Sequence, residues 1–177
     1  AGAGSPKRFR NLFGITLGTG FGGGIVSEGR LYTGDNSAAG EIWITRNKRH
    51  PKAFAEEGVS IRAVQGTYAR VEGIDPGQAP EPREIYQIGV GERAGNRQAA
   101  LQALAEMGEV IGDALANAIT LLDGLIVIGD GLADAYPLFI GAVLGELNGT
   151  IESYGGERLP RIVQRSFDLE DPAQQAR

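Results

Sequence analysis

Residues 17–24 read LGTGFGGG, and this glycine cluster constrains the fold more than any other segment of the chain. It lies between two apolar runs, at residues 12–15 and 25–26. A glycine-rich tip between two strands lets the backbone pass close to a bulky group, and its N–H groups suit phosphate oxygens. The segment therefore favours a phosphate-binding hairpin, and a β-turn that requires positive φ angles is the alternative.

Length and cysteine content bound the class of protein. A chain of 177 residues fits one domain with a core of its own. Because the sequence has no Cys, it excludes disulfides, thiolate catalysis and Cys-ligated metal sites. It has no apolar run long enough to cross a membrane, and its first eight residues are too polar for a signal peptide. We therefore expect a soluble cytoplasmic protein with no membrane partner.

The charge pattern argues against nucleic acid as the main partner. The formal net charge is −5. A basic cluster at residues 46–52 is the local exception, but no aromatic residues are interleaved with its cations. Such a cluster is typical of a solvated loop.

The first half of the chain predicts a β-meander followed by helix. Residues 11–17, 24–27 and 30–33 are short β-compatible runs separated by turn residues. Residues 53–70 have roughly helical apolar spacing, with the Ser60 hydroxyl as a candidate cap for a second segment. The Gly- and Pro-rich residues that follow, 73–82, predict a loop.

The second half predicts α/β layering. A long amphipathic helix begins at Gln98 and runs for some 25 residues, with Gly108 and Gly112 marking close helix packing. Residues 125–129 predict a strand buried on both faces. A turn, a helix over residues 133–147 and a strand over residues 161–165 complete the pattern. Ligands of such sheets bind beyond the carboxyl ends of strands, so both glycine turns are expected to face one cleft.

Three segments together resemble the ROK family (repressor, open reading frame, kinase) of the actin-like ATPase superfamily. They are residues 17–41, 115–123 and 126–139, in the family's order and spacing. The resemblance implies an α/β fold, an actin-like ATPase (ribonuclease H-like) lobe with a mixed sheet and flanking helices. It also implies that residues 1–177 form the C-terminal lobe of a two-lobed sugar kinase fold, whose N-terminal lobe is not in this chain.

The resemblance assigns nucleotide contacts to the two glycine turns. The residues expected to bind the ATP phosphates are Gly18, Thr19, Gly20 and Gly22. The residues expected to bind adenosine are Gly129, Asp130 and Gly131. Asp130 stands where the family has a glycine, and its carboxylate either binds the ribose or points to solvent. ATP and Mg²⁺ are the expected cofactors.

The resemblance also assigns the sugar contacts. Glu41 matches the glutamate of the family's AGExGH motif. The spacing to Ser60 favours Glu56 over Glu57 as the second sugar-binding glutamate. Carboxylates suit this role because each accepts two hydroxyl donors.

The family's zinc site is not expected here. Trp43 and Ile44 replace its Gly-His pair, the zinc cysteines are absent, and the single histidine, His50, is expected at the surface. We therefore predict no bound metal besides Mg²⁺. A small hydrophobic cluster is expected instead, made of Trp43, Ile44, Phe54 and Val59. Alternatively, Trp43 stacks on a sugar ring.

The family's catalytic aspartate lies upstream of the matching segments, so no catalytic residue is expected in this chain. The leading interpretation is the C-terminal lobe of an ATP-dependent hexose or N-acyl-hexosamine kinase, inactive alone. The alternatives are the effector domain of a sugar-responsive ROK repressor and a non-catalytic sugar-binding module. The sequence leaves open which sugar binds and whether the chain forms a homodimer.

Overall fold

The main sheet of the computed structural model, which describes residues 9–174, has four strands. They are β1 (Leu12–Leu17), β2 (Phe21–Ser27), β3 (Arg30–Tyr32) and β4 (Leu125–Gly129). The order is β3-β2-β1-β4, antiparallel through the first three strands and parallel between β1 and β4. The predicted meander and mixed sheet are confirmed. β2 begins at Phe21, earlier than predicted, because the glycines after it pair with β1.

The helices of the described residues pack around a long central helix. They are α1 (Ile61–Glu72), α2 (Pro82–Val90), α3 (Arg97–Leu122) and α4 (Tyr136–Leu147). Short 3-10 helices lie at Ile42–Ile44, Ala55–Gly58, Pro76–Gln78 and Gly131–Ala135. Within residues 9–174, no helix combines the length and apolar character that a bilayer crossing requires.

The long helix α3 confirms the prediction and anchors the core. A Cβ added to Gly108 would lie 2.6 Å from the Phe139 carbonyl oxygen, and one added to Gly112 would lie 2.6 Å from Glu146 Cβ. Both glycines therefore allow α4 to pack closely, as the sequence predicts. Fully buried side chains of α3 are Leu104, Met107, Ile111 and Leu115.

Two helical details differ from the sequence prediction. The segment predicted as helix over residues 53–70 divides into a 3-10 turn and α1, with Ser60 at the N-cap position but without a capping side-chain hydrogen bond. The unpredicted helix α2 starts with Pro82 in its first turn and a capping box formed by Glu81 and Glu84. These local signals, not apolar periodicity, set its start.

Two strand predictions are wrong. β4 is an edge strand, and its Val127 is 43% exposed, because no further strand in the described residues covers that edge. Residues 161–165 form bends, since the chain beyond Pro160 has no strand beside it to pair with. Arg161 instead donates hydrogen bonds to Asp113 and Asn117 on α3. The strands nearby are β5 (Thr150–Glu152) and β6 (Arg158–Pro160), which form a separate antiparallel hairpin.

Candidate functional site

The two glycine turns border one cleft at the carboxyl end of β1 and β4. Because these strands are parallel, with Thr16 beside Gly129, the turns that follow them emerge at the same edge of the sheet. The cleft has a volume of about 440 Å³. Its lining residues are Thr16, Thr19, Gly20, Phe21, Gly22, Trp43, Glu56 and Asp130.

The hairpin tip keeps two N–H groups available. The N–H of Gly18 donates to the Gly20 carbonyl oxygen at 3.1 Å, and the N–H of Phe21 donates to Glu56 Oε2 at 2.9 Å. Among residues 9–174, the N–H groups of Thr19 and Gly20 have no intrachain acceptor. Both residues line the cleft. The tip can therefore present two backbone donors and the Thr19 hydroxyl to an anion.

The glycines of the hairpin make room for side chains of this chain. A Cβ on Gly20 would lie 2.6 Å from Glu56 Oε2, and a Cβ on Gly22 would lie 2.5 Å from Thr16 Oγ1. Real Cβ atoms do not approach other atoms so closely, so glycine at these positions allows both oxygens into the cleft. Sequence reasoning missed Thr16, although its place one residue before the glycine motif and opposite Gly22 was the available signal.

Glu56 reaches the cleft from the 3-10 helix Ala55–Gly58. Its bond to the Phe21 N–H fixes the carboxylate beside the hairpin tip. Glu57, the alternative in the sequence, is exposed and does not line the cleft. The geometry therefore places Glu56, the glutamate that the sequence favours, beside the phosphate-binding candidate residues.

Asp130 links the second glycine turn to the first. Its φ of 76° lies in the left-handed region, and its Oδ1 accepts the Gly131 N–H at 2.7 Å. Its Oδ2 lies 3.0 Å from where a Cβ of Gly18 would be. A non-glycine residue in this conformation costs on the order of 1–3 kcal/mol of strain. The space above Gly131 is empty to 4 Å, so its backbone is open to a flat group.

Glu41 joins the site through Trp43. The exposed Glu41 carboxylate accepts a hydrogen bond from Trp43 Nε1, and Glu41 itself is not among the residues that line the cleft. The Trp43 ring packs edge to face with Phe54, with centroids 5.7 Å apart. Trp43 therefore connects the predicted sugar-binding glutamate to the cleft wall.

The residues near His50 do not fit a structural zinc ion. The sequence has no Cys, and the described residues include no group of three or more His, Cys, Asp or Glu that could hold a metal. The buried Asn47 side chain closes this loop: its Oδ1 accepts the N–H groups of Arg49 at 2.9 Å and His50 at 3.1 Å. Of the predicted hydrophobic cluster, Trp43 contacts Phe54 and Val59 is buried. Ile44 is 62% exposed and does not join them, because it points away from the core.

Ion pairs hold the same loop against α3. Arg49 pairs with Glu106 at 3.1 Å and with Glu109 at 2.6 Å, and Arg70 of α1 pairs with Glu106 at 2.9 Å. Burial acts to raise the pKa of Glu106, but hydrogen bonds from Gln102 and Arg70 and the two arginine charges outweigh it and lower the pKa. Glu106 therefore couples the loop, α1 and α3.

The sequence matches the model of the ROK family over residues 2–174. The chain belongs to the ROK family. The N-acetyl-D-glucosamine kinase of Pasteurella multocida (strain Pm70) is 29% identical to it over 130 residues, which are 66% of this chain and 41% of that protein. The N-acetyl-D-glucosamine kinase of Photobacterium profundum is 27% identical over 131 residues, which are 64% of this chain and 41% of that protein.

Solved ROK structures agree in fold. The glucokinase of Parabacteroides distasonis ATCC 8503 is 53% identical, with a TM-score of 0.78 over 82% of this chain and 41% of that chain. The ROK family glucokinase of Streptomyces griseus, solved with glucose and AMPPNP, has a TM-score of 0.64 at 20% identity over 82% of this chain and 52% of that chain, which shows the fold alone. This ROK chain thus has the actin-like ATPase fold. It spans about half, or less, of the length of the relatives it matches.

Proposed function

We propose that this ROK chain is the C-terminal lobe of an ATP-dependent kinase that phosphorylates a hexose or an N-acyl-hexosamine. The observation that carries the proposal is the cleft in which two free backbone N–H groups, threonine hydroxyls and a carboxylate from each of two other segments meet. Membership of the ROK family and the similarity to N-acetyl-D-glucosamine kinases and a glucokinase support it.

In this proposal the nucleotide phosphates lie over residues 18–22. The N–H groups of Thr19 and Gly20 and the Thr19 hydroxyl donate to phosphate oxygens, at about 1.5–3 kcal/mol per charge-assisted bond. Gly18 and Gly22 contribute by leaving space, since the Gly18 N–H is already bonded within the hairpin. The adenosine lies along Gly129–Gly131, where the open backbone at Gly131 accepts a flat ring or ribose.

The acidic residues fit a divalent cation and a polyol. The carboxylate of Asp130 and the Thr16 hydroxyl are hard oxygen ligands of the kind Mg²⁺ prefers, and Mg²⁺ would neutralise phosphate charge during transfer. Glu56 and Glu41 accept hydroxyl hydrogens of the sugar. The general base is supplied by the lobe that this chain lacks, and this lobe contributes positioning.

We further propose that the protein works without structural zinc and in the cytoplasm. The Asn47 hydrogen bonds and the Arg49 ion pairs hold the loop that a metal would otherwise fasten. The amide and the guanidinium need no metal to do this, because their partners are within hydrogen-bond distance.

A coupled phosphorylation assay tests the function. The 177-residue chain is assayed with ATP, Mg²⁺ and a panel of hexoses and N-acetylated hexosamines, both alone and joined to the lobe that precedes it in its natural protein. We expect turnover only in the joined protein, because a general base is commonly worth ~10² to 10⁴ in rate. Turnover by the chain alone would show that its active site is complete. Sugar binding without turnover by the joined protein would favour a regulator or a non-catalytic module.

A further inference from the structure

The single tryptophan of the chain lies in the wall of the candidate cleft. Trp43 is half-buried, and it faces the same space as Thr16 and Glu56. A large aromatic side chain in a cleft otherwise lined by glycine, hydroxyls and carboxylates supplies its main apolar surface. Ligand pockets commonly combine such an aromatic wall with a few polar groups that fix orientation.

The indole is held at both ends. Its Nε1 donates to Glu41, and its ring packs against Phe54 with an interplanar angle of 88°. Phe54 is itself fixed by the backbone, since it pairs with Arg46 and its carbonyl oxygen accepts Asn47 Nδ2. Reorientation of the indole would break the bond to Glu41 and the ring contact together.

The bond between Trp43 and Glu41 defines what the carboxylate can still do. A carboxylate has about four acceptor positions, and the indole N–H takes one of them. The remaining positions accept hydroxyl donors, while the ring offers an apolar surface beside them. A pyranose combines these properties: its hydroxyls project around the ring edge, and its axial C–H groups form an apolar face.

We propose that Trp43 determines sugar specificity by packing its indole against the apolar face of a pyranose while its N–H holds Glu41 to accept the hydroxyls of that sugar. This inference rests on the proposed function, because it assigns the sugar to the same cleft. It names a neutral pyranose, and not the nucleotide base, as the group that covers Trp43. The neighbouring Glu56 carboxylate supports this choice, since it also accepts hydroxyl hydrogens.

Tryptophan fluorescence of the 177-residue chain tests the contact directly, because all of its indole emission comes from Trp43. The chain is titrated with N-acetylglucosamine, with glucose and with MgATP, each up to high millimolar concentration, and acrylamide quenching is measured at each end point. We expect a bound sugar to shift the emission and to protect the indole from acrylamide, and MgATP to do neither. Protection by MgATP and not by sugar would overturn the proposal in favour of stacking on the base.

Calorimetry on variants separates ring from N–H. Trp43→Ala is expected to weaken sugar binding about tenfold or more, and Trp43→Phe, which keeps a ring but loses the donor, by an intermediate factor. In a Glu41→Gln background the difference between Trp and Phe should shrink, as a double-mutant cycle requires for coupled residues. MgATP affinity should be unchanged in all of them, with Leu121→Ala, an exposed position on α3, as the control.

The outcomes distinguish the two proposals. If sugar binds and Trp43→Ala leaves its affinity unchanged in a variant with an unchanged melting temperature, the role of Trp43 is wrong and the kinase proposal stands. If no sugar binds the wild-type chain while MgATP does, the assignment of the sugar to this cleft fails, and the role of Trp43 fails with it.

Discussion

The Glu56 carboxylate accepts the Phe21 N–H at 2.9 Å, directly beside the hydrogen-bearing Cα of Gly20. The glycine hairpin and the short helix Ala55–Gly58 therefore share one wall of the cleft. The absence of a side chain at Gly20 is a condition for this contact.

Gly20→Ala should displace Glu56. The added Cβ would lie 2.6 Å from Glu56 Oε2, so the carboxylate must move and the Phe21 N–H loses its charged acceptor. We expect a loss of about 1–3 kcal/mol in the free energy of unfolding and weaker sugar binding. Gly24→Ala, in the same hairpin and with no atom within 4 Å of where its methyl group would lie, is the control. Equal effects of the two substitutions in urea unfolding would contradict this geometry.

Asn47→Ala should loosen the loop that carries Glu56. The substitution leaves the N–H groups of Arg49 and His50 without their acceptor. A loss of about 1–3 kcal/mol in the free energy of unfolding is expected, whereas Asn36→Ala, at an exposed turn, should have little effect. Thermal and urea unfolding of both variants provide the measurement. A wild-type value for Asn47→Ala would show that the loop does not depend on this amide.

Zinc should be absent from the purified protein. Because the loop around His50 is closed by Asn47 and by ion pairs, a chelator should leave the melting temperature unchanged. Elemental analysis before and after chelation checks both statements. Stoichiometric zinc, or a lower melting temperature after its removal, would disprove the prediction.

Stability should fall in acid through Glu106. Its pKa in the folded chain is lowered from the ordinary 4.5, so its contribution is present above that value and is lost as the pH falls through the folded pKa. Urea unfolding between about pH 6 and about pH 3 should show a smaller pH dependence for Glu106→Gln than for wild type. Glu157→Gln, at an exposed position in the β5–β6 hairpin turn, is the control. If Glu106→Gln retains the full pH dependence, another carboxylate is responsible.

Local signals in the sequence predicted much of the fold but not the contacts within the cleft. The glycine cluster predicts the hairpin, and the spacing of apolar residues predicts α3, because both are properties of neighbouring residues. That Gly20 makes room for Glu56, and Gly18 for Asp130, depends on contacts across 36 and 112 positions, which a local pattern does not contain. The strand predicted at residues 161–165 failed for the same reason, since a strand needs a partner that the sequence does not identify.

Backbone NMR of the ¹⁵N-labelled chain titrated with MgATP tests the central claim, that the cleft at the hairpin tip binds nucleotide phosphates. The account predicts that the amide resonances of Thr19 and Gly20 shift most, because these N–H groups are the donors left without an intrachain acceptor in residues 9–174. The amide of Gly155, in the distant β5–β6 hairpin turn, should not move. Perturbation centred on that hairpin, or saturation of binding with the Thr19 and Gly20 resonances unchanged, would contradict the account.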